Sequence, residues 1–210
     1  MKKRVRVFKN ISDITFNKIN SNIFFVTGLS GSGKSYFARE YASNNNYEVF
    51  QLEWLIHYKH CSELFKTFLD DFIDKYHLKE YVDNKWNNEK IEDNNKELRK
   101  YINLLLKEFM GTYKDNNYIV EGIQLFTLID YNLISDYYIV IKGTSSVNSL
   151  KNRIKRDYQK RKDYKFIDKV KWFIKVIKQS KLYQFNHRKK LNKFISYLQA
   201  SKSGEINEVR

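Results

Sequence analysis

The residues best placed to do chemistry are Gly28-Leu29-Ser30-Gly31-Ser32-Gly33-Lys34-Ser35, which satisfy the pattern of Gly, four free positions, then Gly-Lys-Ser. Each residue type has a reason to be there. Glycines let the backbone take positive φ and approach an anion with no Cβ in the way. Successive amide N–H groups then form a nest, with the positive end of a following helix behind it. The Lys34 ammonium suits the β- and γ-phosphates of a nucleotide, and the Ser35 hydroxyl suits Mg²⁺. Gly28, Ser30, Gly31, Ser32, Gly33, Lys34 and Ser35 are the candidate phosphate-binding set, with ATP and Mg²⁺ as the expected ligands.

Two carboxylates could complete such a site. Glu53 ends the run Gln51-Leu52-Glu53, and Glu121 ends Ile119-Val120-Glu121. In an open α/β sheet, ligands bind outside the carboxyl ends of the strands. There Glu53 could orient an acceptor hydroxyl and take its proton. Glu121, together with Ser35, is the candidate Mg²⁺ contact. A third feature is Arg153-Ile154-Lys155-Arg156-Asp157-Tyr158-Gln159-Lys160-Arg161. An arginine-rich lid closing over a triphosphate would exclude water and stabilise charge on the transferring phosphoryl group. Lys34, Glu53, Glu121, Arg153, Arg156 and Arg161 are therefore the candidate catalytic residues.

These residues need a frame that brings them together. Ile23–Thr27 reads as a buried strand, followed by the glycine-rich turn and a helix from Lys34 to about Ser43. Tyr47–Glu53, Tyr118–Gly122 and Tyr137–Ile141 read as further strands. Leu64, Phe65, Phe68, Leu69, Phe72 and Ile73, and again Leu98, Tyr101, Ile102, Leu105 and Phe109, recur at helical spacing within a stretch of about 56–115. Asn84–Asn95 reads as an exposed polar loop. Alternation of strands and helices implies an α/β fold, three layers with a mainly parallel sheet. Residues 1–165 are expected to form the core, with a helical insertion at 56–115, and 166–210 a basic helical extension. Val5–Phe8 and Phe194–Leu198 are weaker candidates for a fifth strand.

Composition narrows the classes. The chain has 210 residues and a net charge of +15, one cysteine, Cys61, and no proline. Disulfides within the chain are excluded, and no apolar run approaches the roughly 20 residues of a membrane span. The basic start, Met1–Asn10, lacks the apolar segment of a secretory signal, so a cytoplasmic location is expected. The histidines His57, His60, His77 and His187 are too scattered for a metal set. Charge is unevenly placed: residues 151–210 hold 19 Lys and Arg against 5 Asp and Glu, a net of +14. A polyanionic partner is implied, whether nucleotide, nucleic acid or membrane surface. Within that segment Ile167, Val170, Ile174 and Ile177 share one helical face, and Lys171, Lys175 and Lys178 another.

The order of glycine-rich loop, acid after the second strand, Val-Glu-Gly on the third and Arg-Ile-x-Arg-Asp-x-x-x-Arg after the fourth resembles the P-loop kinases. Most similar are the uridine kinase and phosphoribulokinase group and the adenylate-kinase-like proteins once called topology modulation proteins. The resemblance spans about residues 20–165. It implies that Gly28 to Ser35 hold ATP phosphates and Mg²⁺, that Glu53 takes the place of the family's acceptor-activating aspartate, and that Arg156 and Arg161 match lid arginines with Arg153 close by. Glu in place of Asp at 53, Lys162 where uridine kinases often carry Gly, and the lack of a recognisable adenine-binding loop leave the acceptor and base contacts open.

The expected activity is an ATP- and Mg²⁺-dependent phosphotransferase acting on a small hydroxylated or phosphorylated metabolite, such as a nucleoside or nucleotide. Stacking of an acceptor on Trp54, Tyr58 or Trp86 is conceivable. The alternative is a nucleic-acid-binding NTPase, or a kinase of polynucleotide ends, using 151–199. There basic residues alternate with Tyr158, Tyr164, Trp172, Tyr183 and Phe185. A kinase of a sugar nucleotide is also compatible with the residues.

Overall fold

The computed structural model describes residues 5–8, 22–55, 61–80, 82, 96–159, 165–201 and 207–208. Its strands are β1 (Val5–Phe8), β2 (Ile23–Gly28), β3 (Glu48–Gln51), β4 (Tyr118–Glu121), β5 (Tyr138–Lys142) and the short β6 (Asn207–Glu208). Its helices are α1 (Lys34–Asn45), α2 (Glu63–Lys75), α3 (Lys96–Thr112), the single turns α4 (Gln124–Thr127) and α5 (Tyr131–Ile134), then α6 (Ser146–Gln159) and α7 (Phe166–Ser201). The sheet order is β3-β4-β2-β5-β1-β6. Every pairing is parallel. The fold is α/β.

Chain direction explains the layers. From β2 the chain moves outward to β3, then returns to insert β4 between them, and next crosses β2 to lay down β5. Right-handed crossovers in opposite directions put their helices on opposite faces. The packing follows. On β2, Phe24 and Val26 meet Phe37, Ala38, Tyr41 and Ala42 of α1. The alternate residues Ile23 and Phe25 join a larger core with Phe65, Leu69 and Phe72 of α2, Leu98, Ile102 and Phe109 of α3, and Leu125 and Phe126 of α4. Both faces are covered, so strands β2 and β4 are buried along their whole length, as the continuous apolar runs require.

An aromatic cluster fixes the outer strand. Phe50 of β3 stacks on Phe109 with centroids 4.1 Å apart and meets Phe65 edge-on at 5.1 Å. Trp54 packs on Phe50 and Phe65 and is only 8% exposed. It belongs to the core, which takes it out of any acceptor-stacking role. Such ring pairs each contribute about 0.5–1.5 kcal/mol beyond area burial.

The elements differ in detail from the sequence expectations. Val5–Phe8 does form a strand, pairing with β5 from Val5–Ile139 to Phe8–Lys142, whereas Phe194–Leu198 is helical. The second strand is shorter than Tyr47–Glu53. It stops at Gln51, and Leu52–Leu55 form a 3-10 turn. The final turns of α7 contribute Leu191, Phe194 and Leu198 to the larger core. The stretch 84–95 lies outside the described residues, as do Tyr58 and Trp86. Among the described residues, no helix is long and apolar enough to cross a membrane.

Candidate functional site

The turn from β2 into α1 is built on glycine geometry. Gly31 and Gly33 have φ of 82° and 85°. A Cβ at Gly31 would lie 2.4 Å from the Ser149 carbonyl oxygen, so the residue is required both by its backbone and by the closeness of α6. Ser32 N–H donates to the Leu29 carbonyl at 3.0 Å, tightening the loop. Gly33 caps α1 without any side-chain bond, and the first turn of α1 carries no acid. The positive helix end thus faces the loop with no acid of its own first turn to offset it.

Lys34 and Ser35 open α1 and turn back toward the end of β4. Lys34 Nζ lies 3.7 Å from Glu121 Oε1, and Ser35 Oγ donates to Glu121 Oε2 at 3.1 Å. Register explains the meeting. Val26 stands opposite Glu121 in the parallel β2–β4 pair, so the acid emerges beside the root of the loop. Thr27 Oγ1 donates to the Gly122 carbonyl at 2.8 Å, and Gly122 N–H donates to the Val26 carbonyl at 3.2 Å. These bonds hold the two strand ends together.

Glu121 is 3% exposed. Burial pushes its carboxyl above the ordinary glutamate range. Lys34 pulls it down, the negative charge of Glu53 adds to the rise, and the Ser35 and Lys34 hydrogen bonds lower it again. Strand register locates that residue: Gln51 stands opposite Glu121 in the parallel β3–β4 pair, and Glu53 lies solvent-exposed two residues further on, in the 3-10 turn. Four of the sequence candidates, Lys34, Ser35, Glu53 and Glu121, therefore gather where the carboxyl ends of β2, β3 and β4 meet.

The arginines are placed only in part. Arg153 and Arg156 fall on α6, but their side chains lie outside the described residues, as does Arg161. The root of α6 is nonetheless bound to the loop. Ser149 Oγ donates to the Ser30 carbonyl, and Asn152 Nδ2 donates to the Gly31 carbonyl at 3.0 Å. Two loop carbonyls are thereby occupied.

Several residues were not singled out by sequence reasoning. Thr27, Ser149 and Asn152 are polar residues of common type whose role depends on long-range contact. Gln124 Oε1 is buried with no hydrogen-bond partner, as is Oγ of Ser32, itself one of the expected loop residues. Gln124 sits just after Gly122, toward which its side chain reaches, near Leu52. Polar residues directly after an acid-terminated strand were the available signal for Gln124. Lys142 is buried at the end of β5, in register with Gly28.

Among the described residues, no group of three or more His, Cys, Asp or Glu gathers as a metal set. Mg²⁺ in phosphate sites is commonly held by one or two protein groups, with phosphate oxygens and water completing the octahedron. A hydroxyl and a buried carboxylate 3.1 Å apart fit that requirement. No family model matches the chain, and no curated protein matches it.

Proposed function

We propose that this chain is a P-loop phosphotransferase that uses ATP and Mg²⁺ to phosphorylate a small hydroxylated or phosphorylated acceptor. The observation that carries the reading is the convergence of Lys34, Ser35 and Glu121 behind a positive-φ glycine loop, at the carboxyl ends of parallel strands. The sheet order supports it. The chain leaves β2 in one direction and later crosses β2 in the other, and such a switch point is where open α/β sheets bind ligands.

Each residue then has a task. The loop amides and the open end of α1 cradle the phosphates. Lys34 offsets their negative charge, and Ser35 with Glu121 would hold the ion. Bound Mg²⁺ would neutralise charge on the β- and γ-phosphates. The positive charge of the ion, once bound, would draw the Glu121 carboxyl back toward its ionised form, countering burial. Glu53, exposed at the rim, is free to meet an acceptor hydroxyl and accept its proton. With α6 rooted on the loop through Ser149 and Asn152, Arg153 and Arg156 further along the same helix are the candidates to cover the triphosphate on closure.

The test is ATP turnover by purified protein with Mg²⁺, alone and with panels of nucleosides, nucleotides, sugars, sugar nucleotides and 5′-hydroxyl oligonucleotides. Lys34→Ala serves as the control. Phosphorylation of a small acceptor that disappears in Lys34→Ala establishes the reading and names the substrate. Hydrolysis that rises only with nucleic acid, with no phosphorylated product, would sink it in favour of a nucleic-acid-dependent NTPase.

A further inference from the structure

Helix α7 carries two apolar stripes that point in different directions. In its C-terminal half His187, Leu191, Phe194 and Leu198 are buried, and the three apolar ones belong to the larger core. In its N-terminal half Phe166, Ile167, Val170, Phe173 and Ile174 form a second stripe, and all five are exposed, Phe166 to 80% and Ile167 to 64%. At 100° per residue these five fall within an arc of about 120°, centred roughly a quarter-turn from the buried stripe. The two stripes meet along one edge, where Phe173 and Leu191 share a line, so most of the N-terminal stripe faces away from the side that α7 packs on the core. The C-terminal stripe is anchored, which commits the other to solvent.

The charges around the exposed stripe are one-sided. Residues 165–178 hold five lysines and a single acid, Asp168. Lys165 and Lys171 are exposed, and both project outside the apolar arc. Asp168 lies on the far side of the helix from the stripe by the same count.

We propose that the N-terminal half of α7 is a membrane-surface element that lies in the interface of an anionic bilayer, with Phe166, Ile167, Val170, Phe173 and Ile174 dipping into it. An apolar arc flanked by lysines is the composition that interfacial helices use: the apolar face partitions and the cations meet anionic headgroups. The net of +14 over residues 151–210 supplies the charge complementarity and would orient the approach. Nucleic acid fits the observations less well. It would use the lysines and stack on ring faces, but Ile167, Val170 and Ile174 have no part in that. Trp172, the largest ring, is only part-exposed and packs near Tyr158 at 6.5 Å, while Lys169 lies over the Tyr158 ring. A second copy of this chain would bring the same lysines face to face. The inference does not depend on the phosphotransferase reading.

The experiment is co-sedimentation of the full chain with vesicles of phosphatidylcholine alone and of phosphatidylcholine with 30–40 mol% phosphatidylserine (roughly the anionic, PS-rich regime), at low and physiological salt. Phe166→Ser/Phe173→Ser is the test variant, with its fold checked by circular dichroism and its melting temperature. Binding to anionic vesicles that weakens roughly tenfold or more in the double variant, at unchanged fold, is expected. Lys165→Gln/Lys171→Gln should weaken it less and flatten its salt dependence. Binding that is indifferent to the phenylalanine changes would overturn the proposal. So would the absence of binding to either vesicle, tight binding to an oligonucleotide that the same phenylalanine changes abolish, or a dimer in light scattering that they dissociate.

Discussion

Gly31→Ala gives the sharpest test of how the loop is held, because Gly33→Ala serves as its internal reference. Both glycines have nearly the same φ, 82° and 85°. Alanine in that left-handed region costs about 1–2 kcal/mol at either position. The surroundings differ. A Cβ at Gly33 meets nothing within 4 Å, whereas one at Gly31 comes within 2.4 Å of the Ser149 carbonyl oxygen. That obstacle is helix backbone, so relief requires α6 to move off the loop. Its departure breaks the Ser149-to-Ser30 and Asn152-to-Gly31 hydrogen bonds, together about 1.5 kcal/mol. Gly31→Ala should therefore lose about 3 kcal/mol and Gly33→Ala about 1.5. At this chain length 1 kcal/mol corresponds to roughly 2–4 °C in melting temperature. The expected drops are about 9 °C and about 4 °C, measured by circular dichroism or differential scanning fluorimetry. Equal drops in the two variants would refute the claim that α6 is locked against the loop.

Three further outcomes are expected. Since burial raises the Glu121 carboxyl, the native state holds that proton more tightly than the unfolded chain. The contribution is thus complete below the ordinary value of about 4.5 and lost as pH rises through the raised native value. The stability of Glu121→Gln relative to the parent should accordingly grow with pH above about 4.5 in urea titrations, and a flat or falling difference contradicts the assignment. Glu53→Gln should lower kcat by about 10²–10⁴-fold with little change in KM for ATP if the exposed acid takes the acceptor proton; a change confined to KM for ATP would remove it from that role. Cys61 is pushed up to about 11, by burial first and then by the nearby Glu63 charge. Its reaction with iodoacetamide at pH 7.5 should run about 100-fold slower than that of a free thiol, and a rate matching free cysteine would overturn that.

The glycine loop and its flanking strand and helix were legible because they are local: spacing, apolar run and helix formers lie within about twenty residues. The parallel α/β class followed from alternation, and Glu121 was legible as a strand ending. Boundaries were less so. The strand expected to run through Glu53 breaks at Gln51 because Leu52 and Trp54 turn into the aromatic core, a packing demand that no local pattern records. Val5–Phe8 was equally obscure, since its partner β5 lies more than 130 residues away.

The sequence by itself determined which groups are available: glycines able to take positive φ, one lysine and one serine at a helix start, an acid at a strand end, and a strongly cationic final third. Tertiary structure decided which of them meet. Parallel register places Glu121 beside Val26 and hence within reach of Lys34 and Ser35. Packing then closes α6 onto the loop through Ser149 and Asn152. It also buries one stripe of α7 while leaving the other in solvent. These are long-range outcomes, because side chains far apart in the chain become neighbours only once burial of the sheet's two faces fixes where each helix lies.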